Sequence, residues 1–293
     1  MTAIASTNQA PAFRAGTSDA EIEAAARAAI LARKRKVTLL RWGILVVFLG
    51  LWELSARREW IDPFFYAMPT AIIGRLWDWF SEGTSEGPLW VHLWTTMEES
   101  LLGFFSGSFF GILVGILLGR NKLAADVCQP FIKTLNAIPR VVLAPFFVMF
   151  FGLGLGSKVA LSFVMVFFVV FANAFQGVRE ADRAMIANAQ ILGASPSQVT
   201  RAVVIPSAMT WIFASLHVSF GMAIIGAIVG EYVGAKHGIG LLINIAKGSF
   251  DTAGMFAAIV LIVIFALSAE WVVTQIENML LKWRPAPFND HAN

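Results

Sequence analysis

The sequence is poor in charge and in cysteine. Asp, Glu, Lys and Arg together supply 14% of its 293 residues, and apolar residues supply 57%, whereas soluble domains carry about 25% charged and about 45–50% apolar residues. This composition argues against a soluble enzyme. The single cysteine, Cys128, can form neither an intrachain disulfide nor a zinc site built from cysteines.

The sequence also lacks the groups that catalysis, metal binding or nucleotide binding would need. Its histidines are scattered and have no metal-ligand spacing: His92, His217, His237 and His291. The nearest approach to a phosphate-binding G-x-x-x-x-G-K-[S/T] loop, Gly152 to Lys158, has Ser157 where the second glycine must stand. We therefore predict no catalytic residue, no metal site and no cofactor bound by this chain, so energy for any active process must come from a partner.

Long apolar runs dominate the rest of the sequence. A hydrocarbon core about 30 Å thick needs roughly 20 apolar residues in a helix, and six runs of about that length lie near residues 39–56, 99–119, 127–151, 157–178, 208–233 and 255–280. The sequence thus predicts an all-α polytopic membrane protein with about six transmembrane helices. Lys133, Pro139, Arg140 and Pro145 interrupt the third run, which we expect to be kinked and packed inside protein.

The regions outside the runs predict the domain organisation and the orientation. We expect a cytoplasmic tail and helix over 1–36 (the helix over 18–36), a transmembrane domain over 37–284 and a cytoplasmic tail over 285–293. A basic cluster lies before the first run and consists of Arg33–Lys36 and Arg41. Because no aromatic face lies beside it, the cluster favours anionic lipid over nucleic acid as a binding partner. With the N-terminus inside, the cytoplasmic pieces hold more than twice as many Lys and Arg residues as the outer loops, in which we count Lys158. Both termini are therefore predicted to be cytoplasmic.

The loop over residues 179–207, between the fourth and fifth runs, is too long for a simple connection and carries its own helix signals. We predict an amphipathic helix over Glu180–Leu192, with Ala181, Met185, Ala189 and Leu192 on one side, and a left-handed Gly193 at its end. Ser195-Pro196-Ser197-Gln198 has the pattern of a capping box that starts a second helix. Pro206 is expected to stop that helix before the fifth run.

At these residues the chain resembles the permeases of binding-protein-dependent ATP-binding cassette (ABC) importers, whose signature is the EAA loop. The resemblance covers roughly residues 60–280. Gly193 occupies the glycine position of the motif, nine residues separate it from Val203, and Val203-Val204-Ile205-Pro206 forms the ending. Ala187 stands where glutamate is usual. The residues that the resemblance assigns to contact with an ATPase are Ala187, Asn188, Ala189, Gly193, Ala194, Ser195 and Pro206.

Further motifs are similar to one branch of these permeases, which serves nitrate, taurine, aliphatic sulfonates and a pyrimidine precursor of thiamine. They are Ala137-Ile138-Pro139-Arg140, Phe151-Gly152-Leu153-Gly154, Gly230-Glu231 and Gly238-Ile239-Gly240-Leu241. The resemblance implies a type I ABC importer permease fold in a bacterial inner membrane. It also implies a cytoplasmic ATPase dimer that binds ATP and Mg, a periplasmic or surface solute-binding protein, and a solute such as sulfonate, taurine or nitrate. Because the sequence holds one such loop and no internal repeat, we expect a homodimer.

Three residues in or near the runs are candidates for the translocation path. They are Arg140, Met222 and Glu231, of which Glu231 has an alternative role as a carboxylate bonded to a neighbouring backbone. Arg140, alternatively, snorkels or pairs with a helix end. The glycines that recur every fourth residue over Gly103–Gly115 predict close helix packing. The alternative function is a secondary carrier for a small anion, which should show inverted repeats and ion ligands at mid-membrane.

Overall fold

The computed structural model describes residues 19–280, and every element in that range is helical except for an isolated bridge between Thr84 and Gly87. The chain divides between Pro63 and Phe64 into two compact units. The predicted tails over 1–17 and 285–293 lie outside the described residues. The helices are α1 Asp19–Arg57, α2 Pro69–Ser81, α3 Leu89–Arg120, α4 Lys122–Ala137, α5 Ala144–Phe151, α6 Leu155–Arg179, α7 Arg183–Ile191, α8 Pro196–Val199, α9 Ile205–Val233, α10 Ile239–Gly248 and α11 Thr252–Leu280.

Within the described residues, five helices are long and apolar enough to cross a membrane, and the bent pair α4–α5 would be a sixth. The predicted all-helical membrane fold is confirmed. Two boundaries differ from the sequence analysis. The helix expected over 18–36 and the first run form one helix, because no glycine or proline separates them. The second span begins at Leu89 rather than at residue 99, so Glu99 lies inside a helix.

The third run is bent as predicted, by 79° between α4 and the segment Arg140–Phe151. Ile138 and Pro139 are extended at the break, and a 3-10 turn over Arg140–Leu143 leads into α5. The expectation that this run is packed inside protein is wrong for the single chain. Within residues 127–151 only Ala144 is buried, and Ala125, just before the run, is the other buried residue of α4 and α5. The segment packs against α3 and α6 along one side.

The core of the second unit forms where α3, α6 and α9 pack together. The predicted glycine stripe of α3 faces α6: a Cβ atom at Gly107 would lie 2.8 Å from the Cβ of Val166, and one at Gly115 would lie 2.7 Å from the Cβ of Ala174. Both distances are shorter than a methyl group tolerates, so these glycines allow the helix axes to approach closely. Phe104, Val166 and Phe220 fill the centre of this contact.

Lys158 is not in an outer loop, as the sequence analysis had it. It lies in the first turn of α6, its side chain is fully buried, and its Nζ donates a hydrogen bond to the carbonyl oxygen of Leu153 at 2.7 Å. The apolar sequence around Lys158 does not predict this buried position, because a lysine is rarely buried unless a partner compensates its charge.

Candidate coupling loop and translocation path

The loop between α6 and α9 is folded, and we call residues 180–204 the elbow. Its first helix, α7, is capped by Asp182, whose carboxylate accepts a hydrogen bond from the backbone of Ala184 at 2.7 Å. The helix ends at Gly193, which has φ +83°, while the Ala194 N–H bonds back to the Ala189 carbonyl at 3.0 Å. Glycine adopts this left-handed backbone without strain. The predicted helix and its glycine end are confirmed, although the helix begins at Arg183 rather than at Glu180, because Asp182 caps it.

The second half of the elbow starts with the predicted capping box. The Ser195 N–H donates to Oε1 of Gln198 at 2.7 Å, and the Gln198 N–H donates to the Ser195 hydroxyl at 3.4 Å. Pro196 takes the first helical position, where its missing N–H costs nothing. The chain after Gly193 is therefore redirected by bonds between residues that are close in sequence.

Pro206 does not stop this helix, contrary to the sequence analysis. Residues Thr200–Val204 form a π-helical turn, in which the Ile205 N–H bonds to the carbonyl of Thr200, and α9 continues without a break through Pro206. A single π-helical turn changes the hydrogen-bond register inside a helix, and that change accommodates the residue that has no N–H. The elbow is thereby joined directly to a 38-residue helical stretch over Pro196–Val233.

The elbow has a buried side and an exposed tip. Ala181 and Val204 pack into a cluster with Ala174 of α6 and Ile212 of α9, and Ile186 covers it. The tip exposes Ile191 by 81% and Leu192 by 86%. The sequence analysis placed four residues on one side of this helix: Ala181, Met185, Ala189 and Leu192. This is wrong in part, because Met185 and Leu192 are exposed and Ile186 takes the inner position.

All but one of the residues that the family resemblance assigns to ATPase contact lie on this elbow, and Pro206 lies just beyond it in the first turn of α9. They are mostly exposed: Ala187, Asn188, Gly193, Ser195 and Pro206 face outward, and Ala189 and Ala194 are half-buried. At the elbow's base, Arg179 forms a 3.2 Å salt bridge with Asp126 of α4 and lies 5.6 Å from the ring centroid of Phe175. The sequence analysis did not identify Ile191 as a residue of the tip, although it is apolar and lies two residues before the turn at Gly193.

The first path candidate, Arg140, lies at the break between α4 and α5. Its Nη2 donates to Oδ1 of Asn136 at 2.6 Å, and its guanidinium lies 5.0 Å from the ring centroid of Phe168 in α6. These contacts join Arg140 to α4 and α6, and its expected place in the translocation path, like the alternatives of snorkelling or pairing with a helix end, stays a prediction. The second candidate, Met222, is half-buried on α9.

The third candidate, Glu231, is fully buried at the end of α9 far from the elbow. Its Oε1 accepts a hydrogen bond from the Thr96 hydroxyl at 2.6 Å, and its Oε2 accepts one from the Gly240 N–H at 2.7 Å. A Cβ atom at Gly238 would overlap its carboxyl group. The structure thus shows the alternative role of Glu231, a carboxylate bonded to backbone, which caps α10 and joins it to α3.

Sequence reasoning missed most of the polar residues around Glu231, which we call the cap cluster: His92, Thr96, Glu99, Lys158 and Glu231. Thr96 accepts from the Ile239 N–H at 3.0 Å, and His92 Nδ1 accepts from the Gly238 N–H at 3.1 Å. Glu99 lies beside Glu231 and Lys158. Thr96 and His92 are more than 130 residues from their partners Glu231 and Gly238, so no local pattern brings them together. A charged residue within a span is the signal that could have found Glu99.

The exposed rim near the cap cluster is polar. The Lys247 ammonium of α10 donates to the Tyr232 hydroxyl at 2.9 Å, and this hydrogen bond raises the pKa of Lys247. Arg75 of α2 forms a 3.0 Å salt bridge with Asp251, which precedes α11. The first pair joins α10 to the end of α9, and the second joins α2 to the start of α11.

Comparison with known proteins finds relatives over most of the chain. Residues 107–281 match the model of the family described as binding-protein-dependent transport system inner membrane component. The riboflavin transport system permease protein RibX of Chloroflexus aurantiacus is 34% identical over 239 residues, which are 82% of this chain and 88% of RibX. The taurine transport system permease protein TauC of Escherichia coli is 30% identical over 250 residues, 85% of this chain and 90% of TauC.

A solved structure supports the fold. A chain from inward-facing conformations of the MetNI methionine ABC transporter superposes with a TM-score of 0.56 at 20% identity, covering 64% of this chain and 95% of that chain. This likeness confirms the predicted permease fold.

Proposed function

The chain belongs to the binding-protein-dependent transport system inner membrane components, and from this membership we propose that two copies of it form the path of an ATP-driven importer for a small anion. The family membership itself makes it the permease of an ABC importer, a multi-pass membrane protein that works with an ATPase and a solute-binding protein. The predictions of a transport subunit rather than an enzyme, and of the EAA-loop family, are confirmed.

We infer that the elbow is the surface that docks on the ATPase, and the exposed tip carries this proposal. Ile191 and Leu192 are exposed by 81% and 86%, yet the tip is held by two helix caps and a left-handed glycine. An exposed apolar tip on a rigid support is the form of a binding hot spot, which inserts into a pocket of its partner. Ala187 offers no charge at the usual glutamate position, so contact at the tip would be apolar.

The test is co-purification of the ATPase with a charged variant of the tip. Ile191→Asp with Leu192→Asp should reduce the ATPase retained on tagged permease by at least about tenfold, because a carboxylate would be desolvated at the contact. Phe250→Asp is the matched control, since Phe250 is 72% exposed in the α10–α11 connection, near the cap cluster. Full retention of the ATPase by the tip variant would refute docking at the elbow.

The proposed orientation places the elbow in the cytoplasm. If the bent pair α4–α5 counts as one crossing, the described residues contain six spans. With an even number of crossings, the start of the first span and the end of the last span lie on the same side of the membrane. The excess of Lys and Arg on the elbow side favours the cytoplasm for that side. Thiol labelling of single cysteines at Leu192 and Phe250 in intact cells tests this: a membrane-impermeant maleimide should reach only the latter.

We propose a homodimer because the chain provides one elbow, whereas a dimeric ATPase has two equivalent docking clefts. The open face of the α4–α5 segment, with Phe146, Met149 and Phe150 exposed, supports a second copy as its cover, since isologous interfaces join identical patches. Co-expression of two differently tagged copies tests this state. Recovery of both tags on one complex supports the homodimer, and recovery of a different permease chain instead overturns it.

The proposed solute is a small anion such as a sulfonate, taurine or nitrate. TauC, 30% identical, supports this class by its name, whereas RibX is named for riboflavin, so likeness alone does not select between a sulfonate and a larger heterocycle. Arg140 at the bend and Met222 on α9 are the proposed path residues. Glu231, whose carboxylate is bonded to Thr96 and Gly240, is proposed to stabilise the helices that surround the path. Thermal shifts of the cognate solute-binding protein with taurine, alkanesulfonates, nitrate and riboflavin test the proposal.

A further inference from the structure

A stripe of polar side chains runs along α4 to the bend. Its members recur at intervals of three or four residues, which places them within about a quarter of the helix circumference. The helical members are all exposed in the single chain, and Arg140 just beyond the helix is half-buried. We call this set the polar lane: Lys122, Asp126, Gln129, Lys133, Asn136 and Arg140.

The lane runs beside α6 from the last residue of that helix to its middle. At one end Asp126 pairs with Arg179, the last residue of α6. At the other end Arg140 lies over Phe168, eleven residues earlier in α6, a distance of about 16 Å along a helix at 1.5 Å per residue. Half of a hydrocarbon core about 30 Å thick is about 15 Å. Because Leu155–Arg179 is long and apolar enough to cross a membrane, we place the guanidinium of Arg140, which lies beside the middle of this helix, near the midplane.

The lane carries positive charge that no carboxylate in the described part of the chain neutralises. Asp126 pairs with Arg179, and neither Lys133 nor Arg140 forms an ion pair with a described residue. Arg140 has only the Asn136 amide oxygen and the Phe168 ring as polar contacts. A cation that faces lipid at this depth is strongly unfavourable, so lipid is a poor environment for this stripe.

The backbone at the bend leads to the same conclusion. Ile138 and Pro139 are extended between two helical segments, and Ile138 is 44% exposed. Non-helical backbone at membrane depth is tolerated where it lines a water-filled cavity or is buried in protein. In this chain the bend is not buried, and it lies where the polar lane ends.

We propose that the polar lane lines a water-filled vestibule that opens at the elbow end, reaches mid-membrane at Arg140, and concentrates anions. This inference rests on the proposed function and extends it to the wall of the path and the charge of the solute. A cleft lined by charge of one sign raises the local concentration of counter-ions by about 10-fold or more. Sulfonates, carboxylates and phosphates are the groups that a guanidinium with a neighbouring amide recognises.

The test is cysteine accessibility, for which the chain is well suited because Cys128 is its only cysteine. In a Cys128→Ala background, Asn136→Cys and, separately, Gln129→Cys report on the lane. Phe131→Cys is the matched control, since Phe131 lies between these depths on α4 and is 66% exposed but outside the stripe. Inside-out membrane vesicles containing the full transporter are treated with 2-sulfonatoethyl or 2-(trimethylammonio)ethyl methanethiosulfonate, and each rate is normalised to that reagent's rate with 2-mercaptoethanol.

We expect both lane cysteines to be modified at least about tenfold faster than Phe131→Cys, and the anionic reagent to be favoured over the cationic one by about tenfold. Adding Lys133→Gln and Arg140→Gln should bring the anion-to-cation ratio close to one while the lane cysteines stay reactive. Modification no faster than at Phe131→Cys overturns the vestibule, and reactivity without anion preference overturns its selectivity. Labelling requires no transport, so either failure is distinct from loss of ATPase co-purification, which tests the proposed function.

Discussion

The two ends of the helical bundle are held together in different ways. At the cap cluster, side chains of α3 and α9 bond to the backbone of residues 238–240, and Thr96 and Gly238 are joined to partners more than 130 residues away. At the elbow, the caps join residues two or three positions apart, as in Ser195 with Gln198. The cap cluster therefore fixes how the helices sit against one another, whereas the elbow is a locally formed unit that a partner can hold.

The connection between these ends is the continuous helical stretch from Pro196 to Val233. It begins in the elbow's capping box, passes through the π-helical turn over Thr200–Val204, and ends two residues beyond Glu231. A displacement of the elbow would reach the cap cluster along this stretch. Substitutions at the cluster end should therefore act on folding, and substitutions at the elbow on coupling to the ATPase, a distinction that the following predictions test.

The largest effect is expected for Gly240→Ala. A Cβ atom there would overlap the Ile228 carbonyl oxygen and lie 2.8 Å from the Cβ of Glu231, and backbone cannot move away as a flexible side chain can. We expect destabilisation of about 3 kcal/mol or more, the upper end for overpacking, measured as loss of monodisperse protein on heating in detergent. Gly248→Ala, in the same helix with nothing within 4 Å of its Cβ position, should change stability by less than about 0.5 kcal/mol.

The next effect is expected for Glu231→Ala. The substitution leaves the Gly240 N–H without its acceptor in a fully buried site, which costs about 1–3 kcal/mol. The Thr96 hydroxyl loses its bond to Glu231 but keeps the His92 carbonyl as an acceptor at 3.1 Å. The thermal midpoint of the purified protein should fall by several degrees. Glu270→Ala removes a glutamate from an exposed position of α11 and should leave the midpoint within about a degree. Equal midpoints for the two variants would show that the cap cluster adds nothing to stability.

The elbow was predictable from the sequence because its determinants are local. A capping box, a proline at the first helical position and a glycine in the left-handed region each act within four residues, so their spacing alone specifies the turn. The spans were predictable for a similar reason, since length and apolarity suffice. The prediction that Pro206 ends a helix was wrong because a π-helical turn precedes it and changes the hydrogen-bond register, so that the helix continues through a residue without an N–H. Such a turn has no sequence signature.

The cap cluster was not predictable in the same way. Glu231 and the Gly238-Ile239-Gly240 motif were recognised as notable, yet their partners His92 and Thr96 lie in another span. Lys158 was counted with the loops because a charge near the end of an apolar run normally lies in water. Its burial depends on the Leu153 carbonyl and on Glu99 and Glu231 nearby, which only the packing of α3, α6 and α9 brings together.

A smaller effect on stability, but a large one on coupling, is expected for Gly193→Val. The backbone at φ +83° is strained for a β-branched residue, at about 1–2 kcal/mol, although nothing lies within 4 Å of the Cβ position. Solute-stimulated ATPase activity of the assembled transporter should therefore fall severalfold, while the thermal midpoint of the permease stays nearly constant. Gly193→Asn is the control, because asparagine tolerates this conformation, and it should retain most of the activity. A fall in the midpoint as large as that of Glu231→Ala would place Gly193 in the folding core instead.

The smallest effect is expected for Ser195→Ala, which removes one of the two capping-box bonds at the start of α8. Loss of an N-cap costs about 1 kcal/mol, and because the cap serves only the elbow, this cost should appear as local opening rather than as a lower thermal midpoint. Amide hydrogen exchange should accelerate about fivefold over residues 197–204 and stay unchanged at Ile239 and Gly240. Ser81→Ala, which removes a hydroxyl bonded to the Trp77 carbonyl at the end of α2, should change neither region. If exchange at Ile239 also accelerated, the elbow would be coupled to the cap cluster in the resting protein, and the two ends would not be separable units.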